Sequence, residues 1–89
     1  MKIHEQITKE TWCKGSSHKD ANGDNLPSYN KAIAKSHCAQ GWLSLVYDPD
    51  FPVIKLLREL PKGMSIGQWN DHPRRTFEEV KAAFKKADL

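Results

Sequence analysis

Trp69, Asn70, Asp71, His72, Arg74 and Arg75 place an indole, an amide, a carboxylate, an imidazole and two guanidinium groups in one short stretch, interrupted only by Pro73. Thr76 follows, with Glu79 three positions on. That is a capping box, in which the hydroxyl and the carboxylate each satisfy one otherwise unpaired backbone N–H. A helix is therefore predicted from Phe77, with its positive dipole end beside the polar loop. Two chemistries are open to such a loop. In the first it is a structural corner: Asp71 takes hydrogen bonds from Arg75 or from loop amides, Asn70 closes an Asx turn, and Trp69 packs under the helix. In the second it is an anion site. His72, Arg74, Arg75 and the N–H groups at the helix start receive a phosphate or carboxylate, and Trp69 suits a nucleotide base.

A second constellation is Cys13, His18, His37 and Cys38, which have the donor types of a tetrahedral zinc site. Their spacing fits no common zinc motif, and no metal is expected. A helix over this region would point His37 and Cys38 about 100° apart. Cys38 with His72, oriented by Asn70 or Asp71, would make a nucleophilic pair only if Cys38 were exposed and its pKa lowered. Helical spacing places it on the core face instead, so no catalytic residue is expected. Asp20 to Asp24 resembles the start of a calcium loop but has Asn25 at the sixth position and Lys31 at the twelfth, where glycine and glutamate are needed. No glycine-rich phosphate loop precedes a helix, which removes P-loop and dinucleotide-binding chemistry, and no cofactor is expected.

The whole chain has 89 residues, enough for one small domain. Its net charge of +3 comes from lysines and arginines scattered along the chain rather than gathered in a run. Nucleic acid is therefore expected only as a weak electrostatic partner. The longest apolar run, Gly41 to Tyr47, is too short to span a bilayer. Met1 to Glu5 lacks the apolar segment of a secretory signal, so the expected compartment is the cytoplasm. The two cysteines could form one disulfide, but in that compartment the thiols are expected to be reduced.

The elements that must position these groups follow from periodicity and turns. Ile3 and Ile7, four apart, suit one face of a short helix ending near Thr11. Asn22-Gly23 predicts a β-turn, hence a small hairpin or ordered loop within residues 12–27. Ser28 can cap a long helix from Tyr29 to Tyr47, with Ala34, Cys38, Gly41, Trp42 and Leu45 on its inward face, widened by Ile33, His37 and Leu43. Gly41 would let another element approach closely. Asp48-Pro49-Asp50-Phe51-Pro52 breaks that helix. A second helix buries Val53, Ile54, Leu56, Leu57 and Leu60 and ends at Pro61 and Gly63; Met64 to Gln68 connects it to the last. The last helix runs from Phe77 to near Ala87 with Phe77, Val80, Phe84 and Ala87 inward. Three helices with a small hairpin or loop make a mostly helical α+β domain, given an aromatic core by Trp12, Trp42, Trp69, Phe51, Phe77 and Phe84.

Three patterns carry a family likeness: Trp12-x-x-Gly15 with Asp20-Ala21-x-Gly23; Cys38-Ala39-x-Gly41-x-Leu43; and Trp69-Asn70-Asp71-x-Pro73-x-Arg75-Thr76-x-Glu78-Glu79-Val80. With these the chain resembles, over residues 12 to 87, a family of small bacterial and phage proteins defined as a domain of unknown function. The resemblance implies a fold neighbourhood and no activity, and it fits a phage or mobile-element accessory protein. The leading expectation is thus a non-enzymatic accessory protein that binds a macromolecular partner, expected to be a protein, such as a modulator of a host or defence component. The alternative is a binder of a nucleotide-like anion using Trp69, Asn70, Asp71, His72, Arg74 and Arg75.

Overall fold

Ile3 and Ile7 are both buried, as their spacing predicts, yet they do not share one helix. In the computed structural model, which describes residues 1–26, 30, 32–47 and 52–89, α1 (Ile3–Gln6) is followed by a separate 3-10 turn, Lys9–Thr11. The break falls where Ile7 and Thr8 adopt extended backbone. Thr8 and Thr11 then cap each other, each hydroxyl oxygen accepting from the other's amide.

The predicted turn at Asn22-Gly23 is present. Gly23 has φ +83°, and the Asp20 carboxylate accepts from the amides of Asn22 and Asp24. The strands themselves pair over a longer span than a hairpin within residues 12–27. β1 (His18–Lys19) lies antiparallel to β2 (Ser36–His37), with His18 opposite His37 and Lys19 opposite Ser36.

That pairing corrects the helix predicted over Tyr29–Tyr47. The backbone of Ser36 and His37 is taken by β1, so α2 is only Ala39–Tyr47. Before the strand, Asn30 stops a turn by accepting from the Ala32 amide on its side chain and from the Ala34 amide on its carbonyl. Cys38 opens α2: its carbonyl accepts from Trp42 N–H and its Sγ from Gly41 N–H. The expected inward face is correspondingly broken. Cys38, Gly41, Trp42 and Leu43 are buried, but Leu45 is exposed and Ile33, outside the helix, is exposed too. The expected cap Ser28 and the breaker from Asp48 to Phe51 lie outside the described residues.

α3 (Val53–Leu57) passes into turns that carry the chain to Leu60. Leu56 and Leu60 are buried, whereas Ile54, placed on the inward face by periodicity, is 64% exposed. Met64 to Gln68 is not a plain connection. Ser65 and Gln68 form a capping box that starts α4 (Ile66–Asn70). α5 (Phe77–Lys86) begins at the predicted box of Thr76 and Glu79, with Val80, Phe84 and Ala87 buried.

α1 packs on α5, and α2 packs on α1 and α4, around Ile3, Leu43, Leu56, Val80 and Phe84. Residues from the two ends of the chain meet: the Ile3 amide donates to the Leu89 carbonyl, Lys2 pairs with Asp88, and Tyr47 Oη donates to Leu89 O at 3.0 Å. The architecture is a small α+β fold, mostly helical, with a two-stranded sheet. None of the described helices is long and apolar enough to cross a membrane.

Candidate functional site

Asn70 is the centre of the 69–76 region, and it is fully buried. As the last residue of α4 it points into the junction between the N-terminal segment and the start of α2. Its Oδ1 accepts from Trp12 Nε1 at 2.7 Å and from the Ala39 amide at 3.0 Å. Its Nδ2 donates to Cys13 O at 3.0 Å and to Asp71 Oδ1 at 2.9 Å. An amide side chain offers two acceptor lone pairs and two N–H donors, so every site on Asn70 is used. Asp71 is exposed, but the same Oδ1 also accepts from the Gly15 amide at 2.9 Å.

Arg75 is likewise committed. Its Nε donates to Trp69 O at 2.9 Å, its guanidinium lies 4.3 Å from the Trp69 ring centroid, and Nη1 meets Glu79 at 3.2 Å. Trp69 is buried. The Thr76 amide and the Arg75 guanidinium hold the Glu79 carboxyl below its ordinary pKa, with the cap as the larger cause. His72 is exposed; its Nδ1 accepts from the Arg74 amide and its carbonyl accepts from Lys14 Nζ at 2.8 Å. Of the six residues predicted from sequence, Trp69, Asn70 and Arg75 therefore brace the fold from within, and the exposed Asp71 is tied to Gly15 and Asn70. Arg74 and the edge of His72 face solvent.

The Cys/His set separates into two pairs. His18 and His37 face one another from β1 and β2 with Nδ1···Nδ1 at 2.7 Å, and His37 also meets the Trp42 ring edge-on. Two imidazoles at that distance need one N–H and one lone pair, so the two rings cannot both be charged while the contact is made. Burial, and then the neighbouring His18, pushes the His37 pKa down to about 4; burial lowers His18 as well. Successive residues in extended chain point to opposite faces, so Cys38 turns away from the side His37 occupies. Among the described residues no three His, Cys, Asp or Glu side chains are arranged to hold a metal ion. Cys38 is buried and its thiol is pushed up by desolvation, while His72 lies at the surface.

What the fold does leave open lies beside the predicted loop. A groove of about 620 Å³ is lined by Lys9, Trp12, Cys13, Lys14, Lys19, Thr76, Phe77 and Glu78. Trp12 and Phe77, both partly buried, supply its apolar surface. Trp12 is held in place through Nε1 by Asn70, and Lys14 Nζ sits 5.6 Å from the Trp12 ring centroid. Lys9 reaches Glu78 at 3.7 Å, an exposed pair of small energetic consequence. Three ammonium groups against one carboxylate leave the groove cationic. Sequence inspection missed it because its residues come from the 3-10 turn, the following loop, β1 and the start of α5. The available signal was Trp12 flanked by Lys9 and Lys14. A second hollow of about 660 Å³ lies where the chain ends meet, and two of its charged residues, Lys2 and Asp88, pair with each other.

A short α+β domain with an internally braced Asn–Asp corner and a cationic aromatic groove is the class that the geometry defines. The chain belongs to the family of unknown function DUF6197, whose model matches residues 2–88. No curated protein and no solved structure matches it.

Proposed function

We propose that this protein is a non-enzymatic accessory protein that holds a protein partner, and that the groove between the Lys9–Lys14 segment and the start of α5 receives an acidic segment of that partner carrying an aromatic or aliphatic anchor. The observation behind this reading is the placement of Lys9, Lys14 and Lys19 around the Trp12 and Phe77 rings. Aromatic rings held rigidly from beneath lose little entropy on binding and are frequent contact hot spots. Cations around such rings steer an acidic chain and fix its register. The non-catalytic part rests on the separation of Cys38 from His72 and on the internal use of Asn70, Asp71 and Arg75. A cytoplasmic setting and a bacterial or phage origin, as for a modulator of a host or defence component, belong to the same proposal.

The alternative, a nucleotide-like anion held by the 69–76 loop, would be left with Arg74 and His72 as its uncommitted contacts. The test compares the two ligand classes directly. Synthetic peptides rich in Asp and Glu with one central Phe or Leu are titrated against the protein by tryptophan fluorescence, alongside ATP. Saturable peptide binding that weakens with salt and is lost in a Lys9→Glu/Lys19→Glu variant of unchanged melting temperature supports the groove. Equal binding by that variant, or saturation by ATP alone, overturns it.

A further inference from the structure

Cys13 and Cys38 are separated by the whole β1–β2 excursion in sequence, yet the backbone sets them side by side. Trp12 bridges His37 in parallel sense, and the Cys13 amide donates to the His37 carbonyl at 3.1 Å. That bond brings Cys13 close to Cys38, and the Asn70 side chain takes the place of the next rung by joining the Cys13 carbonyl to the Ala39 amide. A disulfide spans about 4.4–6.8 Å between Cα atoms, a separation that one such backbone bond allows. Alternation along extended chain turns Cys38 away from His37, and Cys13 borders the groove beside Trp12.

Their surroundings agree with this placement. The Cys13 thiol donates to Ser16 O at 3.5 Å, and the Cys38 Sγ accepts from Gly41 N–H at 3.4 Å. Desolvation raises the Cys13 thiol pKa, a hydrogen bond from Ser36 opposes it, and the neighbouring Cys38 adds to the rise. Ser36 stands two residues before Cys38 and thus on the same face. Cys13 is half-buried and borders the groove; Cys38 is buried.

We propose that Cys13 and Cys38 are a redox pair that closes to an intramolecular disulfide when the protein meets a hydroperoxide. In the first step the Cys13 thiolate attacks one peroxide oxygen and the O–O bond breaks. Cys13 becomes a sulfenic acid, and the departing oxygen leaves as water after taking up a proton. The Cys38 sulfur then attacks the Cys13 sulfur. An S–S bond forms, the S–O bond breaks, and the hydroxide leaves as a second water with the Cys38 thiol proton. Two thiols are oxidised and one hydrogen peroxide is reduced to two waters. The resting state in a reducing compartment is the dithiol, with oxidation confined to peroxide exposure. Since the thiolate is the nucleophile and burial raises both thiols, closure speeds up as pH rises above neutrality. The inference is independent of what occupies the groove.

The test uses the full-length protein without any partner. After brief treatment with equimolar hydrogen peroxide, it is denatured, capped with N-ethylmaleimide, and weighed intact. The expected result is a monomer lighter by about 2 Da that takes up no maleimide, is restored by dithiothreitol, and yields one cross-linked peptide joining Cys13 to Cys38. In Cys38→Ser, dimedone should instead trap a sulfenic acid at Cys13. Wild-type protein that keeps two cappable thiols, gains oxygen without losing two hydrogens, or links only between two molecules overturns the proposal.

Discussion

Trp12 Nε1 donates to Asn70 Oδ1 at 2.7 Å across a sequence separation of 58 residues. The same Asn70 oxygen accepts the Ala39 amide, so one buried side chain ties the N-terminal segment to the ends of α4 and α2. The groove depends on that tie, because it holds the Trp12 ring that forms part of its wall. Asn70→Ala strands a buried backbone amide together with a part-buried indole N–H and the part-buried Cys13 carbonyl. Each such group costs about 1–3 kcal/mol, and local relaxation brings the expected total to about 3–4 kcal/mol. For a domain of this size that lowers the melting temperature by about 12–30 °C. Chemical denaturation checks it; a loss below about 1 kcal/mol would show that the tie is dispensable.

Arg75 and Arg74 are adjacent but should behave differently. Arg75→Ala removes the bond to Trp69 O, the stacking on the Trp69 ring and the pair with Glu79. It is expected to cost about 1–2 kcal/mol, mostly from the part-buried bond to the carbonyl. Arg74→Ala, at an exposed position, should leave stability within about 0.5 kcal/mol. Thermal melts of the two variants decide the matter, and an Arg75→Ala protein that melts like wild type while losing an anionic ligand would restore the loop as a binding site.

The legible parts of this fold were those with local signals. Thr76 and Glu79 announce α5 because a capping box lies within four consecutive residues, and Asn22-Gly23 announces its turn for the same reason. Ser65 and Gln68 carry an equally local signal for α4, but a five-residue helix containing Gly67 has too little periodicity to stand out. The long helix over Tyr29–Tyr47 failed because Ala34, Cys38, Gly41 and Trp42 do have helical spacing. What overrides it is pairing of Ser36–His37 with His18–Lys19, a non-local event that no window of sequence contains. The Asn70 hub and the lysine groove are hidden for the same reason: Trp12, Cys13, Ala39 and Asn70 meet only after folding.

The histidine pair makes stability depend on mildly acidic pH. His37 has a folded pKa of about 4 against an ordinary value of 6.5, so between these values the unfolded chain binds more protons than the folded one. The contribution is complete above pH 6.5 and is lost as pH falls toward 4. A shift of this size corresponds to an upper limit of about 3 kcal/mol. Denaturation midpoints measured from pH 7.5 to 4 should fall accordingly, and His37→Asn should flatten the slope in that window. The depressed carboxyls of Glu79 and Asp88 act at lower pH, since their ordinary values are 4.5 and 3.8. A wild-type profile flat from pH 6.5 to 4.5 would mean that the imidazole pair is not coupled to folding.

Gly41 sits inside α2, where replacing glycine by alanine ordinarily stabilises a helix by about 0.5–1 kcal/mol. Here the sign should reverse. A Cβ built on Gly41 would lie 2.2 Å from the Ser17 carbonyl oxygen and 3.3 Å from His18 Cε1. The first of these is backbone, and it already accepts the Cys38 amide at 3.1 Å, so it cannot swing aside without opening the junction between β1 and α2. Overpacking of this kind costs about 1–3 kcal/mol, which exceeds the propensity gain. Gly41→Ala is therefore expected to be less stable than wild type, with faster hydrogen exchange at the Cys38 amide as the local signature. A variant of equal or greater stability would show that the segment from Ser17 to His18 can withdraw from α2 at little cost.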